Sequence, residues 1–341
     1  MDELPSGIPI HCFTLNDLVT EPEPPSFIIE GFLPADVVAF VGTGGIGKST
    51  LLLQLFLSIL LQRRFLGYAI NRSGPVIYVT AEDPLHRIRR RLFYQLQQWG
   101  IPPSGREHVA KNFAVVNLIG TGTRLAGVDI RGNLRIGNLG EGIVQRFRGI
   151  HPVIVCFDPM VRFSPGERFI NDGEDILVSA CMAIQQALDC CIMLVHHVAK
   201  HVMRGGVVDH HAGRGGSALG DGVRAAYQLV QDSENPKHYV FAVTKLTDAP
   251  KPAQMKLQRN GFLFEEVKQE PVERVDPLET VERYLTEAGV AYPSQRQLEE
   301  LHEEMGLGRN QVRTAVTKGL LTGRFVKKEL ENKQSYIAIP R

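Results

Sequence analysis

A glycine-rich segment, Val41-Gly-Thr-Gly-Gly-Ile-Gly-Lys-Ser-Thr50, constrains the fold of this chain more than any other stretch. It satisfies the pattern G-x-x-x-x-G-K-[ST] through Gly42, Gly47, Lys48 and Ser49. Because glycine has no side chain, consecutive backbone N–H groups can point inward at one anion. The segment therefore predicts a loop that wraps phosphate oxygens.

An apolar run on each side of this loop provides the expected context. Residues 36–41 have the length of a buried strand, and residues 51–61 have the pattern of a helix buried nearly all round. Strand, glycine loop and helix N-terminus is the arrangement that the motif requires, with Lys48 on the β- and γ-phosphates and the Ser49 hydroxyl on Mg²⁺. The predicted nucleotide contacts are the loop residues Gly42, Thr43, Gly44, Gly45, Ile46, Gly47, Lys48, Ser49 and Thr50.

Length and charge limit the classes of protein that the chain can represent. Its 341 residues allow one large α/β domain and a small second one. A net charge of +1 is too small for the chain as a whole to be attracted electrostatically to nucleic acid or membrane. Any such binding must come from local patches of positive charge. The start of the chain lacks an apolar signal segment, and residues 51–61 are too short to span a bilayer. We therefore expect a cytoplasmic protein with no membrane contact.

Strand-like and helix-like segments alternate along most of the chain. Apolar runs of strand length occur at residues 36–41, 75–80, 113–118, 152–157, 191–196 and 239–244. Helical patterns fill gaps between them, as at 84–99 and 173–189, and such alternation predicts a mainly parallel sheet covered on both faces. We expect a polar, proline-bearing arm at 1–25, an α/β core at 26–268 and a charged linker at 269–276.

The last part of the chain differs in kind from the core. Helical periods cover residues 277–288, 295–304 and 308–321, and strand-like pieces follow at 324–330 and 335–339. Three helices followed by a hairpin predict a small winged helix-turn-helix domain at 277–341.

Polar residues with catalytic chemistry follow several of the strands. Asp158 ends an apolar strand, where a carboxylate can hold Mg²⁺ through water. Glu82 follows strand 75–80, which we expect beside the first strand, and it can orient or deprotonate water; Asp83 can do the same, and either can simply start a helix. His197 ends strand 191–196, where a neutral imidazole can contact the γ-phosphate.

Basic residues on two loops are candidates for tracking a phosphate backbone. They are Arg162 and Arg168 after Asp158, and Lys200, Arg204 and Arg214 in the long glycine-rich loop 198–217. A solvated surface charge is the alternative for each of them. Arg224 lies beside a new strand, from which an arginine can reach a neighbouring subunit's γ-phosphate.

Several motifs occur in a characteristic order: the glycine loop, Thr80-Ala-Glu-Asp83, Phe157-Asp-Pro159 and Val195-His-His-Val-Ala-Lys200. Together with Gly213-Arg-Gly-Gly-Ser-Ala-Leu219 ahead of Arg224, they resemble the RecA-like ATPases of the RepA type, which are hexameric plasmid helicases related to the DnaB helicases. The resemblance covers about residues 26–250.

This resemblance implies a RecA-like P-loop core, a homo-hexamer, ATP at each subunit boundary and single-stranded DNA in the central channel. By it, Glu82 is the catalytic carboxylate, Asp158 the Mg²⁺ ligand and His197 the γ-phosphate sensor. Arg224 becomes the arginine finger and Lys245 a second residue sent across the boundary. DnaB-like proteins carry an arginine two places after that lysine, where this chain has Thr247, and the finger role therefore shifts to Arg224.

The tail resembles the winged helices of replication initiators and regulators. Its third helix offers Arg309, Asn310, Gln311, Arg313 and Lys318; asparagine and glutamine can read adenine and arginine can read guanine in the major groove. Lys327 and Lys328 on the wing would meet phosphates. The charge of the tail is nearly balanced, so the partner is duplex DNA or a replication protein.

Three functions fit these residues. The first is a motor that hydrolyses ATP, moves along single-stranded DNA and unwinds the duplex in replication of a plasmid or mobile element. The second is a RecA-like repair or loader ATPase that does not unwind DNA. The third is an ATP-switched DNA-binding regulator. The complete hydrolytic set of Lys48, Ser49, Glu82, Asp158 and Arg224 favours the first over the third, because a switch does not need Arg224.

Overall fold

The structure, a computed structural model, describes residues 13–128, 134–164, 170–198, 218–233, 235–267, 276–287, 293–331 and 333–340. The chain divides into two compact units, Met1–Val267 and Lys268–Arg341. The expected arm at 1–25 is described from residue 13 onward, and the expected linker at 269–276 lies outside the described residues apart from Asp276.

The first unit alternates strands and helices. Its described strands are β1 (Phe27–Ile29), β2 (Leu33–Pro34), β3 (Val37–Thr43), β4 (Val76–Thr80), β5 (Phe113–Asn117), β6 (Ala126–Val128), β7 (Leu134–Ile136), β8 (Ile154–Asp158), β9 (Cys191–Val198), β10 (Ala225–Gln231), β11 (His238–Leu246), β12 (Met255–Asn260) and β13 (Leu263–Glu266). Its described helices are α1 (Leu15–Val19), α2 (Lys48–Leu61), α3 (Leu85–Gln98), α4 (Pro103–Asn112), α5 (Asn138–Phe147), α6 (Ile170–Leu188) and α7 (Ala218–Gly222). Each of the predicted apolar runs overlaps one of these strands.

One large sheet forms the centre of this unit. Its strands, within the described part of the chain, follow the order β13-β12-β11-β10-β3-β9-β8-β4-β5. The strands from β10 to β5 run parallel, and β11, β12 and β13 are antiparallel. The mainly parallel sheet predicted from the sequence is thus confirmed, with β3, the strand that leads into the glycine loop, in the middle.

The expectation that Glu82 follows a strand beside the first strand is wrong. Two strands, β9 and β8, lie between β3 and β4. The connection from β3 through α2 to β4 skips two strand positions in the sheet, which β9 and β8 fill later in the chain. The order of segments along the chain does not show that positions are skipped. Glu82 nevertheless lies at the edge of the sheet that carries the glycine loop, because parallel strands end at the same edge.

Both faces of the sheet are buried, which explains the nearly continuous apolar runs. Side chains alternate along β3, so Val38 and Phe40 pack with α2 while Val37 and Ala39 pack with α6. Each face therefore contributes to its own apolar layer, and the strand ends are free to carry polar groups.

A hydrogen-bonded glutamine joins the helix after the glycine loop to the outermost strand. The Gln54 side chain of α2 donates Nε2–H to the Phe264 carbonyl at 2.8 Å, and its Oε1 accepts from the Phe264 N–H at 2.7 Å. Both bonds are buried, and they satisfy backbone groups on the open side of β13, which is an edge strand. The terminal hairpin of the unit is thereby held against the loop.

Replacing Gln54 with leucine should lower the free energy of unfolding by about 2–4 kcal/mol, because two buried backbone groups lose their partners. Gln98 provides a matched control, since it makes the same pair of bonds to the Asn260 carbonyl and the Phe262 N–H in an exposed setting. Gln98→Leu should cost less than about 1 kcal/mol because water replaces the lost bonds. Urea unfolding of both variants measures the difference, and equal losses would contradict this account.

The second unit contains three described helices and one strand pair. They are α8 (Pro277–Glu287), α9 (Gln295–Glu300), α10 (Arg309–Leu321), β14 (Val326–Glu329) and β15 (Ser335–Ala338), and β14 pairs antiparallel with β15. The second helix was expected to extend to residue 304 but ends at Glu300. Turns follow, and they place Leu301 and Met305 against the apolar core of the unit. The apolar spacing therefore continued beyond the helix itself.

Candidate nucleotide-binding site

The glycine loop joins the end of β3 to the start of α2. Gly47 immediately precedes α2 with φ +107°, a conformation that L side chains rarely adopt. A Cβ at Gly47 would lie 2.8 Å from Cζ of Phe264, and a Cβ at Gly42 would lie 2.8 Å from the Leu229 carbonyl oxygen. Any side chain at Gly42 would clash with the backbone of β10, and any side chain at Gly47 would clash with the Phe264 ring on β13. Both positions of the motif therefore require glycine.

Lys48 is the first residue of α2 and is only 4% exposed. Its Nζ donates to the carbonyls of Gly42 at 2.7 Å and Thr43 at 2.9 Å. Burial lowers the pKa of Lys48 from its usual 10.5 to about 8, and the nearby carboxylates of Asp158 and Glu82 offset part of this effect. The ammonium is thus held inside the loop, with two acids close by.

The lowered pKa of Lys48 has a measurable consequence for stability. Between about pH 8 and pH 10.5 the unfolded chain keeps a proton at Lys48 that the folded chain has lost. The free energy of unfolding of the wild type should therefore rise with pH relative to that of Lys48→Met, by up to about 3 kcal/mol at about 1.4 kcal/mol per pKa unit. Urea unfolding of both proteins across this window is the measurement. A pH-independent difference would show that burial does not lower this pKa.

Asp158, at the end of β8, is buried beside the loop and 4% exposed. Its Oδ2 accepts hydrogen bonds from the Ser49 hydroxyl at 3.3 Å and the Tyr78 hydroxyl at 2.5 Å. A hydroxyl and a carboxylate are the hard oxygen donors that Mg²⁺ prefers, usually with waters and phosphate oxygens completing the set. The described residues include no cluster of three or more His, Cys, Asp or Glu able to hold a metal. The oxygen donors of Ser49 and Asp158 fit an Mg²⁺ ion whose other ligands are waters and phosphate oxygens.

The two acids after β4 face different partners. Asp83 is mostly buried and pairs with Arg91 of α3. The side chain of Glu82 is 60% exposed, and its Oε2 lies 3.7 Å from Nε2 of His197, which in turn is 3.9 Å from Oδ1 of Asp158. Asp83 is thus paired with an arginine, whereas Glu82 is the more exposed of the two acids and faces His197.

These groups line one cavity of about 300 Å³ together with three arginines that the sequence analysis missed. Arg87 and Arg91 lie one turn apart on α3, so their i, i+4 spacing after the Thr-Ala-Glu-Asp segment was a usable signal. Arg259 lies on β12, which forms a hairpin with β13, and the bonds between Gln54 and Phe264 hold this hairpin beside the cavity. No local pattern indicates that β12 lies near the glycine loop.

Arg224 and Lys245 lie together at the end of the sheet where β3 and β10 begin, whereas the glycine loop lies at the end where β3 finishes. The Arg224 N–H donates to the carbonyl of Val37, the first residue of β3, at 2.8 Å. Lys245 Nζ donates to the carbonyls of Gly220 and Asp221, both at 2.8 Å. At about 3.3 Å per residue, β3 carries the chain roughly 20 Å from Val37 to the glycine loop. Neither cation is therefore in reach of the glycine loop of its own chain.

The residues predicted to bind a nucleic acid backbone are only partly described. Arg162 ends a single 3₁₀ turn, Met160–Arg162, that follows Asp158 and is exposed. Arg168, Lys200, Arg204 and Arg214 lie outside the described residues. Of these arginines, the described part of the chain thus includes Arg162, which lies in the turn directly after β8 and Asp158.

The predicted base-reading residues lie in the first turns of α10, and three of them have partners within their own unit. Arg313 donates Nε–H and an Nη2–H to the carboxylate of Glu299, at 3.0 and 2.8 Å, and Arg309 Nε is 3.8 Å from the same group. The Gln311 side chain accepts from the Gly308 N–H at 2.7 Å, which caps the helix. Asn310 is exposed.

Comparisons with known proteins agree with this geometry. A family described as an AAA domain matches residues 8–203, more than half of the chain. One solved ATPase domain is similar with a TM-score of 0.52 and 13% identity, and the match covers 69% of this chain and 85% of that one. A DnaB-like replicative helicase, whose structure was described with its interactions with primase, is similar with a TM-score of 0.54 and 12% identity, and the match covers 72% of this chain and 63% of that one.

The fold and the site together define a P-loop ATPase with a RecA-like parallel sheet. The chain belongs to the AAA domain family. Among the described residues, no helix is both long enough and apolar enough to cross a membrane.

Proposed function

We propose that this chain is a replicative DNA helicase of the RepA type, which assembles as a homo-hexamer in the cytoplasm and hydrolyses ATP to move along single-stranded DNA. One observation carries the proposal. The glycine loop, Asp158 and Glu82 occupy one edge of the sheet, whereas Arg224 and Lys245 occupy the other. A single chain thus presents two halves of a nucleotide site that cannot meet each other. Repeated head-to-tail contacts between copies join such halves and close into a ring.

Each residue has a distinct part in the proposed reaction. Lys48 and the loop N–H groups bind the β- and γ-phosphates, and Ser49 and Asp158 would hold Mg²⁺, which would supply positive charge beside the phosphates. Glu82 orients the attacking water, and His197, within 4 Å of both acids, senses the γ-phosphate. Arg224 of the neighbouring copy stabilises the transition-state charge, assisted by Lys245.

The translocated strand is proposed to follow the basic residues after the strand ends. Arg162 is exposed beside the Asp158 turn, so a bound strand there would lie next to the site that changes during hydrolysis. Arg168, Lys200, Arg204 and Arg214 complete this proposed path. Cationic side chains bind the phosphate backbone without reading bases. This suits a motor that moves along DNA of any sequence.

We further propose that the C-terminal unit is a winged helix-turn-helix, with β14 and β15 as the wing. Its proposed partner is duplex DNA or a replication protein. The bonds of Arg313 to Glu299 and of Gln311 to Gly308 occupy groups that would otherwise read bases. Exposed Asn310, Lys318, Lys327 and Lys328 are the residues we assign to the partner surface, beside Arg309.

Strand displacement on a forked DNA duplex tests the proposed function. With ATP and Mg²⁺ the wild type should separate the strands, whereas Glu82→Gln should bind ATP and DNA but displace at least about 100-fold more slowly, the usual range for losing a catalytic base. Glu107→Gln, an exposed carboxylate on α4, is the matched control. Hydrolysis without displacement on forks of either polarity would instead favour the repair or loader ATPase. ATP-dependent DNA binding without hydrolysis would favour the regulator.

A further inference from the structure

Tyr78 is a fully buried tyrosine in the middle of β4, and it is 0% exposed. Its ring lies in the apolar layer with Phe56 of α2, and the two ring centroids are 5.8 Å apart. A phenylalanine would fill the same space, so the hydroxyl is what the tyrosine adds. A buried hydroxyl costs free energy unless it makes a hydrogen bond. The partner of this hydroxyl therefore indicates its role.

That partner is the carboxylate of Asp158, whose Oδ2 accepts a hydrogen bond from the Tyr78 hydroxyl at 2.5 Å. In the pairing of β4 with β8, Thr80 lies opposite Asp158 and Tyr78 lies opposite Cys156. Because side chains alternate along a strand, Tyr78 and Asp158 point to the same face of the sheet, one diagonal step apart. The phenol spans this step, and α2 covers the same face.

The two oxygens of the Asp158 carboxylate have different neighbours. Oδ2 accepts from the Tyr78 hydroxyl and also from the Ser49 hydroxyl, at 3.3 Å. Oδ1 lies 3.9 Å from Nε2 of His197, which lines the same cavity. Two donors from different elements, β4 and α2, thus hold one oxygen. Rotation of the carboxylate would break both bonds, so Oδ1 stays on the side of His197 and the cavity.

A buried cation competes for the same carboxylate. Burial lowers the pKa of Lys48, and the Asp158 charge offsets part of this effect, because the two groups attract each other. A direct pair between them would draw Asp158 away from a metal and Lys48 away from phosphates. In the structure the Lys48 ammonium donates to the Gly42 and Thr43 carbonyls, and Asp158 accepts from two hydroxyls. The hydrogen bond from Tyr78 stabilises this separation.

We propose that Tyr78 is a positioning residue of the nucleotide site, whose hydroxyl fixes the Asp158 carboxylate in the orientation that would hold Mg²⁺ beside the phosphates. The inference rests on the proposed Mg²⁺ site of Ser49 and Asp158 and adds the residue that orients it. Tyr78 is not among the described residues that line the cavity, so it acts through Asp158. Groups that orient a metal ligand typically contribute about 10- to 100-fold to metal affinity.

Nucleotide affinity with and without Mg²⁺ tests this proposal. A fluorescent ATP analogue is titrated into wild type and Tyr78→Phe, first with saturating Mg²⁺ and then with EDTA. The factor by which Mg²⁺ strengthens binding should fall about tenfold in Tyr78→Phe. Affinity in EDTA should match that of wild type, because Lys48 and the loop N–H groups are unchanged. An unchanged Mg²⁺ factor in Tyr78→Phe would overturn the proposal.

Tyr227→Phe is the matched control. Tyr227 is 3% exposed, its hydroxyl donates to the Phe32 carbonyl, and it is not among the described residues that line the cavity. Each variant removes one buried hydrogen bond, so both should lower the melting temperature to a similar extent, roughly 2–6 °C. Only Tyr78→Phe should change the Mg²⁺ factor. An equal loss of that factor in both variants would indicate a general packing defect and would overturn the proposal.

A double-mutant cycle with Asp158→Asn tests whether Tyr78 acts through Asp158. In the Asp158→Asn background, Tyr78→Phe should change the Mg²⁺ factor less than about twofold, and fully additive effects would contradict the proposal. If Mg²⁺ does not strengthen binding even in wild type, the proposed metal site fails and the inference fails with it. If Tyr78→Phe behaves as expected but wild type separates no forked duplex, the inference stands and the proposed helicase function fails.

Discussion

Arg224→Ala is expected to bind ATP about as tightly as the wild type and to hydrolyse it about 10³-fold more slowly or worse, the range found when an arginine finger is removed. Binding should persist because Arg224 lies at the edge of the sheet opposite its own glycine loop, bonded to Val37 at the start of β3. Under the proposed shared site, hydrolysis should fail because the γ-phosphate would lose the cation that a neighbouring copy supplies. Fluorescent-nucleotide titration and steady-state phosphate release measure the two effects separately.

The same geometry predicts complementation between two inactive chains. Lys48→Ala retains an intact Arg224, and Arg224→Ala retains an intact glycine loop. Where the glycine loop of an Arg224→Ala chain meets Arg224 of a Lys48→Ala chain, the site is complete. Mixtures of the two variants should therefore recover part of the hydrolysis. Arg146→Ala, an exposed arginine on α5, should hydrolyse normally. If no mixing ratio restores activity, or if Arg224→Ala hydrolyses ATP normally, the site is not shared.

Lys48→Ala is expected to lose measurable ATP binding and to hydrolyse at least about 10²-fold more slowly, because a preorganised charge in a buried site stabilises the phosphates strongly. The effect should be large since the ammonium is already desolvated and fixed by the Gly42 and Thr43 carbonyls. No reorganisation of solvent is then needed when the nucleotide arrives.

The control for Lys48→Ala is Lys237→Ala, an exposed lysine in the turn before β11. Melting temperatures of both variants separate a folding defect from a binding defect. If Lys48→Ala melts like wild type and still binds ATP with wild-type affinity, the glycine loop is not the nucleotide site.

Much of the candidate site was predictable because its parts are local in sequence. The glycine loop, Glu82, Asp158 and His197 each follow a short apolar strand, and parallel strands end at one edge. Any spatial order of these strands would bring their ends to that edge. This is why the groups converge even though β4 was wrongly expected beside β3.

Other parts of the site depend on contacts between segments far apart in the chain. Arg259 enters the cavity on β12, and Phe264 lies against Gly47 because Gln54 binds the backbone of β13. The spacing of Arg87 and Arg91 was a signal that could have been used. Arg313 pairs with Glu299 only because α9 packs against α10. The apolar periodicity of each helix does not show which polar side chains this packing brings together.

The sequence by itself determined the strands, the phosphate-binding loop and the residue types at each strand end, because these follow from short-range patterns of apolar side chains and glycine. Only the tertiary structure decided the strand order, and with it the distance that separates Arg224 from its own glycine loop. The physical reason is that the order of parallel strands depends on how crossover helices pack over the whole sheet, and no short segment contains that information.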